Sequence, residues 1–203
     1  ASTFVTSSAD STIRFWNIAG HETARRKAAA PAGKGQEPRN AYSRDIVSMI
    51  YCGGTTGAAF AAWKASGEAQ AREKEHNAEI RCLRISPDGR HLASGDRMGN
   101  VRVHELDAGS HQLYAFHEAH DSEVLSLDFS PELKTVGPEE ATPRVLLASA
   151  GRDSLVHIFD SATDYHLAKT AGDHNAAVTG LRFAQDPADE GSCRLMTCSA
   201  DKS

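Results

Sequence analysis

His120, Ser149 and Asp153 are the three residue types of a hydrolytic triad, and His117-Glu-Ala-His120 sets two imidazoles three residues apart in a 203-residue chain that holds ten histidines. As a nucleophile set, Ser149 would attack, His120 would take its proton and Asp153 would orient the ring; that chemistry needs an open serine beside an oxyanion site. As a metal centre, the histidines would need three or four converging ligands and further groups to orient them. The carboxylates Asp10, Asp153 and Asp201 invite a third reading, general acid–base pairing. Four cysteines, Cys52, Cys82, Cys193 and Cys198, fall singly in or beside apparent strands and never as Cys-x-x-Cys. That is the pattern of reduced, buried thiols rather than of a zinc site or disulfides. Gly95 to Gly99 and Cys52 to Gly57 are glycine-bearing turns, but no Gly-Lys-Ser/Thr follows, so neither cradles a phosphate.

Which reading holds depends on the elements that carry these residues, and those elements repeat. Leu92-Ala-Ser-Gly-Asp-Arg-Met-Gly-Asn-Val-Arg-Val-His104 has counterparts in Phe4 to Trp16, in Leu147 to Phe159 and in a stump, Leu195 to Ser203. Apolar and polar residues alternate beside a turn in each: Ile13 and Phe15 against Thr12 and Arg14, Val101 and Val103 against Arg102 and His104. A period of two means half-buried antiparallel strands. The linking turns carry the Asp, Asn, Gly and Ser that tight turns need. A further apolar strand precedes three of the copies, at Ile80 to Ile85, Val124 to Phe129 and Val178 to Phe183, two of them closed by Ser-Pro, where proline lacks the ladder donor. Three strands per full unit are therefore expected from pattern alone. Repeats of this kind decide the architecture before any single residue does.

Composition sets the outer limits. With 40% hydrophobic residues, 24% charged residues and a net charge of -5, the chain is that of an ordinary globular protein and has no excess of basic charge for nucleic acid. It contains no run of 18 or more apolar residues and no charged-then-apolar leader, so a membrane is not expected among its partners, and a cytosolic or nuclear setting is the default. Beginning inside a strand at Ala1 and stopping in a turn at Ser203, it reads as a piece of a longer protein.

The repeat resembles the WD40 family, whose units of about 40 to 45 residues form the four-stranded blades of a β-propeller. The resemblance implies an all-β fold, a partial propeller with an incomplete ring. It also implies a buried hydrogen-bonded set in each blade: a His before the first strand, a Ser or Thr in the second, an Asp in the turn and a Trp in the third. The third copy supplies His120, Ser149 and Asp153, with Phe159 where Trp is usual. The last supplies His174, Thr197 and Asp201, and the first supplies Thr6, Asp10 and Trp16. The second copy departs, with Met98 at the Asp position and His104 at the Trp position, so its set is expected to be broken although Ser94 is in place. Under this reading Asp10, Asp153 and Asp201 belong to different blades, too far apart to pair, and the triad composition is structural. Neither a catalytic residue, nor a metal, nor any other cofactor is expected.

Spacing divides the chain into the end of one blade (1–19), an insertion with a flexible basic linker and an irregular hairpin (20–78), a blade (79–117), a second blade (118–171) and a truncated one (172–203). A competing reading makes Asp45 to Cys52 and Ala58 to Trp63 strands of a degenerate blade. Two complete blades and two partial ones are not expected to close a ring alone, so the rest of the propeller is itself a required partner.

Within the class, His91 to Leu106 and Glu118 to Asp128 resemble the WD-repeat scaffolds that bind mitogen-activated protein kinases, a group with a centrosomal and spindle-pole member. The resemblance implies a non-catalytic scaffold whose partners are other proteins, kinases or cytoskeletal and centrosomal components, in the cytoplasm or at the cytoskeleton, centrosome or spindle pole. Two alternatives stand beside it. One is a propeller enzyme with a site at the central channel; the other is a nucleic-acid-associated subunit acting through the basic cluster Arg25, Arg26, Lys27, Lys34 and Arg39.

Overall fold

The computed structural model of the chain describes residues 3–17, 46–52, 79–107, 110–133, 144–186 and 189–203. The basic cluster from Arg25 to Arg39, the stretch from Gly53 to Trp63 and the breaker-rich loop at Gly137, Pro138 and Pro143 lie outside the described residues. Those described form thirteen antiparallel strands in four sheets.

The first sheet holds β1 (Thr3–Ser7), β2 (Thr12–Asn17) and β3 (Ile46–Tyr51) in that order. The next two are complete: β4 (Ile80–Ile85), β5 (His91–Asp96), β6 (Asn100–Asp107) and β7 (Ser110–Glu118), then β8 (Val124–Phe129), β9 (Leu146–Gly151), β10 (Val156–Asp160) and β11 (His166–Ala171). A pair closes the series, β12 (Val178–Asp186) and β13 (Asp189–Ser199). The architecture is a partial propeller of four-stranded antiparallel blades, with no closed ring among the described residues. Each complete blade has one strand more than the sequence pattern marks. In β11 the reason is plain: all but the last of its six residues are exposed, so it carries no apolar alternation. Ile46–Tyr51 pairs with β2 as the third strand of the first sheet.

Ser86-Pro-Asp-Gly89 makes a tight turn because Gly89 adopts φ +74° and donates its N–H to the Ser86 carbonyl at 2.9 Å. The Ser86 hydroxyl accepts from the His91 N–H at 2.9 Å, locking the entry to β5.

Packing follows directly from the period of two. On β5, Leu92 points to a core shared with Ile13, Phe15 and Ile50 of the first sheet, while Ala93 points to one shared with Val124, Leu127 and Leu147 of the third. On β9, Leu147 faces back to that second core and Ala148 faces Val178 and Leu181 of the fourth sheet. Both faces of a complete blade are therefore buried, and each apolar seam belongs to two blades at once. The approach is close at Gly95, where a Cβ would overlap the side chains of Val124 and Cys82.

Candidate functional site

The residues with reactive composition meet where β9 and β10 turn beneath the loop before β8. His120 places Nδ1 3.0 Å from both carboxylate oxygens of Asp153 and Nε2 2.8 Å from Ser149 Oγ. A carboxylate accepts, so Nδ1 carries the hydrogen and Nε2 accepts from the serine hydroxyl. Asp153 also accepts from the backbone N–H of Asp121 at 3.2 Å and of Leu155 at 3.1 Å, which ties the loop before the blade to its own turn. Burial lowers the His120 pKa, outweighing the opposing pull of Asp153, so the ring is held neutral. Ser149 is fully buried, which denies a substrate the open nucleophile that hydrolysis requires.

His157 lies beside this set, its ring centroid 4.5 Å from that of His120. Ligand atoms of His120, Asp153 and His157 fall within 4.8 Å of one another. Both His120 nitrogens already serve Asp153 and Ser149, and His157 Nδ1 meets Thr170 Oγ1 at 2.9 Å. A zinc ion here would have to displace those bonds and recruit a fourth ligand. Phe159 cannot donate to Ser149 as a tryptophan would; it is 2% exposed and stacks on His117 at 4.7 Å between ring centres.

The other blades use the same positions unevenly. In the last sheet His174 repeats the arrangement, with Nδ1 3.1 Å from Asp201 and Nε2 2.8 Å from Thr197 Oγ1. In the first, Trp16 Nε1 donates to Thr6 Oγ1 at 2.7 Å, whereas Asp10 turns to Arg14, 2.6 Å away, and to the Thr12 N–H at 3.0 Å. The second blade substitutes a different device. Asp96, two positions before Met98, is 0% exposed and accepts from the N–H groups of Met98 at 2.8 Å and Asn100 at 2.9 Å, and from Asn100 Nδ2 at 2.8 Å. It also pairs with Arg102, itself 3% exposed, whose guanidinium lies 4.9 Å above the Phe116 ring. Met98 stands in solvent, and Ser94 Oγ and His104 Nδ1 are buried without a partner among the described residues. Burial first, then Arg102, pushes the His104 pKa down to about 4.

Charges on the innermost strands pair between blades. Asp128 on β8 lies 3.3 Å from Arg84 on β4 and 3.0 Å from Arg182 on β12. Arg81 bridges Glu79 at 3.2 Å and Glu123 at 2.8 Å. Glu79 also meets Arg97 at 3.2 Å, and Glu123 meets Arg152 at 3.0 Å. The Asp128–Arg84, Asp128–Arg182 and Arg81–Glu123 pairs cross between successive blades, and among the described residues these acids are all paired.

A family model described as "WD domain, G-beta repeat" matches residues 67–105 and 111–160. The chain carries WD40 repeats. It is 39% identical over 203 residues to mitogen-activated protein kinase-binding protein 1 of Homo sapiens, a match that covers 100% of this chain and 12% of that protein. It is 34% identical to WD repeat-containing protein 62 of Mus musculus, covering 99% of this chain and 12% of that protein. The expected resemblance to the kinase-binding WD-repeat scaffolds is met by these relatives, of whose length the chain spans about an eighth. Among solved structures, Sqt1 of Chaetomium thermophilum bound to the N-terminus of the ribosomal protein L10 superposes with a TM-score of 0.58 at 16% identity, over 93% of this chain and 38% of that one. U3-55K does so with a TM-score of 0.55 at 20% identity, over 89% of this chain and 38% of that one. At these identities the likeness speaks for the WD40 fold alone.

Proposed function

We propose that the chain is a section of a non-catalytic WD40 scaffold that holds other proteins together, within a kinase cascade or at the centrosome or spindle. The observation that carries this reading is the full employment of His120, Ser149 and Asp153 in one another's hydrogen bonds behind a buried serine. The groups that could do chemistry hold a blade in shape, and what the blades offer outward is a rigid frame of loops, a platform for proteins and peptides. The name of the mitogen-activated protein kinase-binding relative supports kinases as the class of partner. Among the described residues no helix is long and apolar enough to cross a membrane. The location proposed is the cytoplasm, including the cytoskeleton, centrosome and spindle pole. Affinity capture of the full-length protein from native cells, followed by mass spectrometry, is expected to recover a stable set of proteins with kinases among them. Recovery of none above the control would overturn the reading.

A further inference from the structure

Where the two complete blades meet, on the side of the Ser86–Arg90 turn, a cleft of about 460 Å³ opens between Asp88, Arg90 and His91 of one blade and Glu132 and Tyr165 of the next. Its floor is built rather than incidental. Asp164 and Tyr165 follow one another at φ +54° and +59°, a left-handed pair that non-glycine residues adopt only when their surroundings enforce it. That conformation turns Tyr165 inward, 1% exposed, and leaves the Asp164 carboxylate 2.5 Å from the Tyr114 hydroxyl. His91 packs between the two tyrosines, 5.3 Å from Tyr114 and 5.4 Å from Tyr165, and the tyrosines meet edge to face at 6.1 Å. No hydrogen bond reaches the Tyr165 hydroxyl among the described residues, so a nearly fully buried polar side chain lines the cleft with its bonding capacity unspent. Asp88 and Glu132 line the same space and Asp164 stands beside it, with Arg90 the one cation lining it among the described residues.

We infer that this cleft receives a cationic side chain, arginine or lysine, from a partner polypeptide, with His91 and Tyr165 as its aromatic wall and Glu132 and Asp88 as its counter-charges. Aromatic faces attract a cation, the more so when water is displaced. The Tyr165 oxygen, without a partner among the described residues, supplies an acceptor for an N–H that enters. A phosphorylated side chain fits less well, because the carboxylates outnumber Arg90 and would repel it. Burial keeps His91 neutral, which removes a competing positive charge from the floor. The inference deepens the scaffold reading by naming the chemistry of one docking point.

The test uses the full-length protein and a Gly/Ser nonapeptide carrying one central arginine and an adjacent diazirine, cross-linked by light and mapped by mass spectrometry. Cross-links are expected on the Ser86–His91 turn and at residues 161–165, with yield falling about tenfold when the arginine is replaced by citrulline, which has the same shape without the charge. Glu132→Gln and Tyr165→Phe, each of which removes one group and little volume, are expected to lower the yield at least threefold by the same argument, whereas Arg90→Ala is expected to preserve or raise it. Equal cross-linking of the two peptides, cross-links elsewhere only, a preference for a phosphoserine peptide, or indifference to both variants would overturn the cleft assignment. A partner set captured from cells that is unchanged by Glu132→Gln would do the same while leaving the scaffold reading intact.

Discussion

At the scale of single residues, the second blade is the informative one. Met98 occupies the position that Asp153 and Asp201 hold in their blades, yet the turn is not left without a carboxylate: Asp96, two residues earlier, accepts from the Asn100 N–H, the counterpart of the Leu155 N–H bound by Asp153, and brings Arg102 into the interior. Removing one member of a buried ion pair strands the other, at a cost of about 3–5 kcal/mol. Arg102→Met is therefore expected to lower the unfolding midpoint in urea sharply, while Met98→Ala, at a side chain 61% exposed, leaves it nearly unchanged. Equal effects of the two would remove the role given to Asp96. In the third blade, Ser149→Ala deprives His120 Nε2 of its donor, and about 1–3 kcal/mol of stability should go with it. On the proposed scaffold role, partner capture by the full-length protein is expected to show no dependence on the Ser149 hydroxyl. The sets centred on His120 and His174 were expected through the family resemblance alone, and in the structure each His lies within hydrogen-bond distance of its Asp and its Ser or Thr. The Asp96–Arg102 pair was not expected: a charged residue inside a strand reads as solvent-facing until the neighbouring blade covers it.

At the scale of elements, blades are joined by what their turns and outer strands exchange. Gly99, at φ +88°, accepts through its carbonyl from the N–H groups of Ala119 at 3.1 Å and His120 at 3.0 Å, and a Cβ there would overlap the His120 carbonyl oxygen. One glycine thus couples the turn of the second blade to the loop that aims His120 in the third. Gly99→Ala is expected to cost about 1–3 kcal/mol, through left-handed strain together with that overlap. Its effect should reach the third blade: amide exchange in β9 and β10 should accelerate, and acceleration confined to β5 and β6 would contradict the coupling. Further out, Ser48 Oγ on β3 and His111 Nε2 on β7 meet at 2.8 Å, and Phe15 stacks on the His111 ring at 4.5 Å. Hairpins with clean alternation were readable from sequence. The outermost strand β11 was not, because it is almost wholly exposed; Asp45 to Cys52 was expected as part of a hairpin or a degenerate blade, but its pairing with β2 was not, because residues 18–45 separate them.

At the scale of the molecule, stability resides in seams shared between blades, and several histidines are sealed near them. His91, His104, His111, His120 and His157 all have pKa values below the ordinary 6.5, with burial the leading cause in each. The neutral ring is the form the fold favours. Its contribution is complete above the unfolded value near 6.5 and is lost as pH falls below that, toward about 4 for His104. From about pH 7.5 to about pH 5, His104 alone should forfeit about 2 kcal/mol, seen as a falling urea midpoint; a flat profile would refute the sealed histidines. Assembled blades, rather than any reactive group, are proposed to carry the function. That role is tested most directly by capturing partners with the full-length protein and with Ala93→Asp, which places a carboxylate in the seam between the two complete blades where Ala93 is 0% exposed. With equal amounts of each protein captured, the wild type should retain a set of partners of which a defined part is lost from the variant; an identical set on both would contradict the claim.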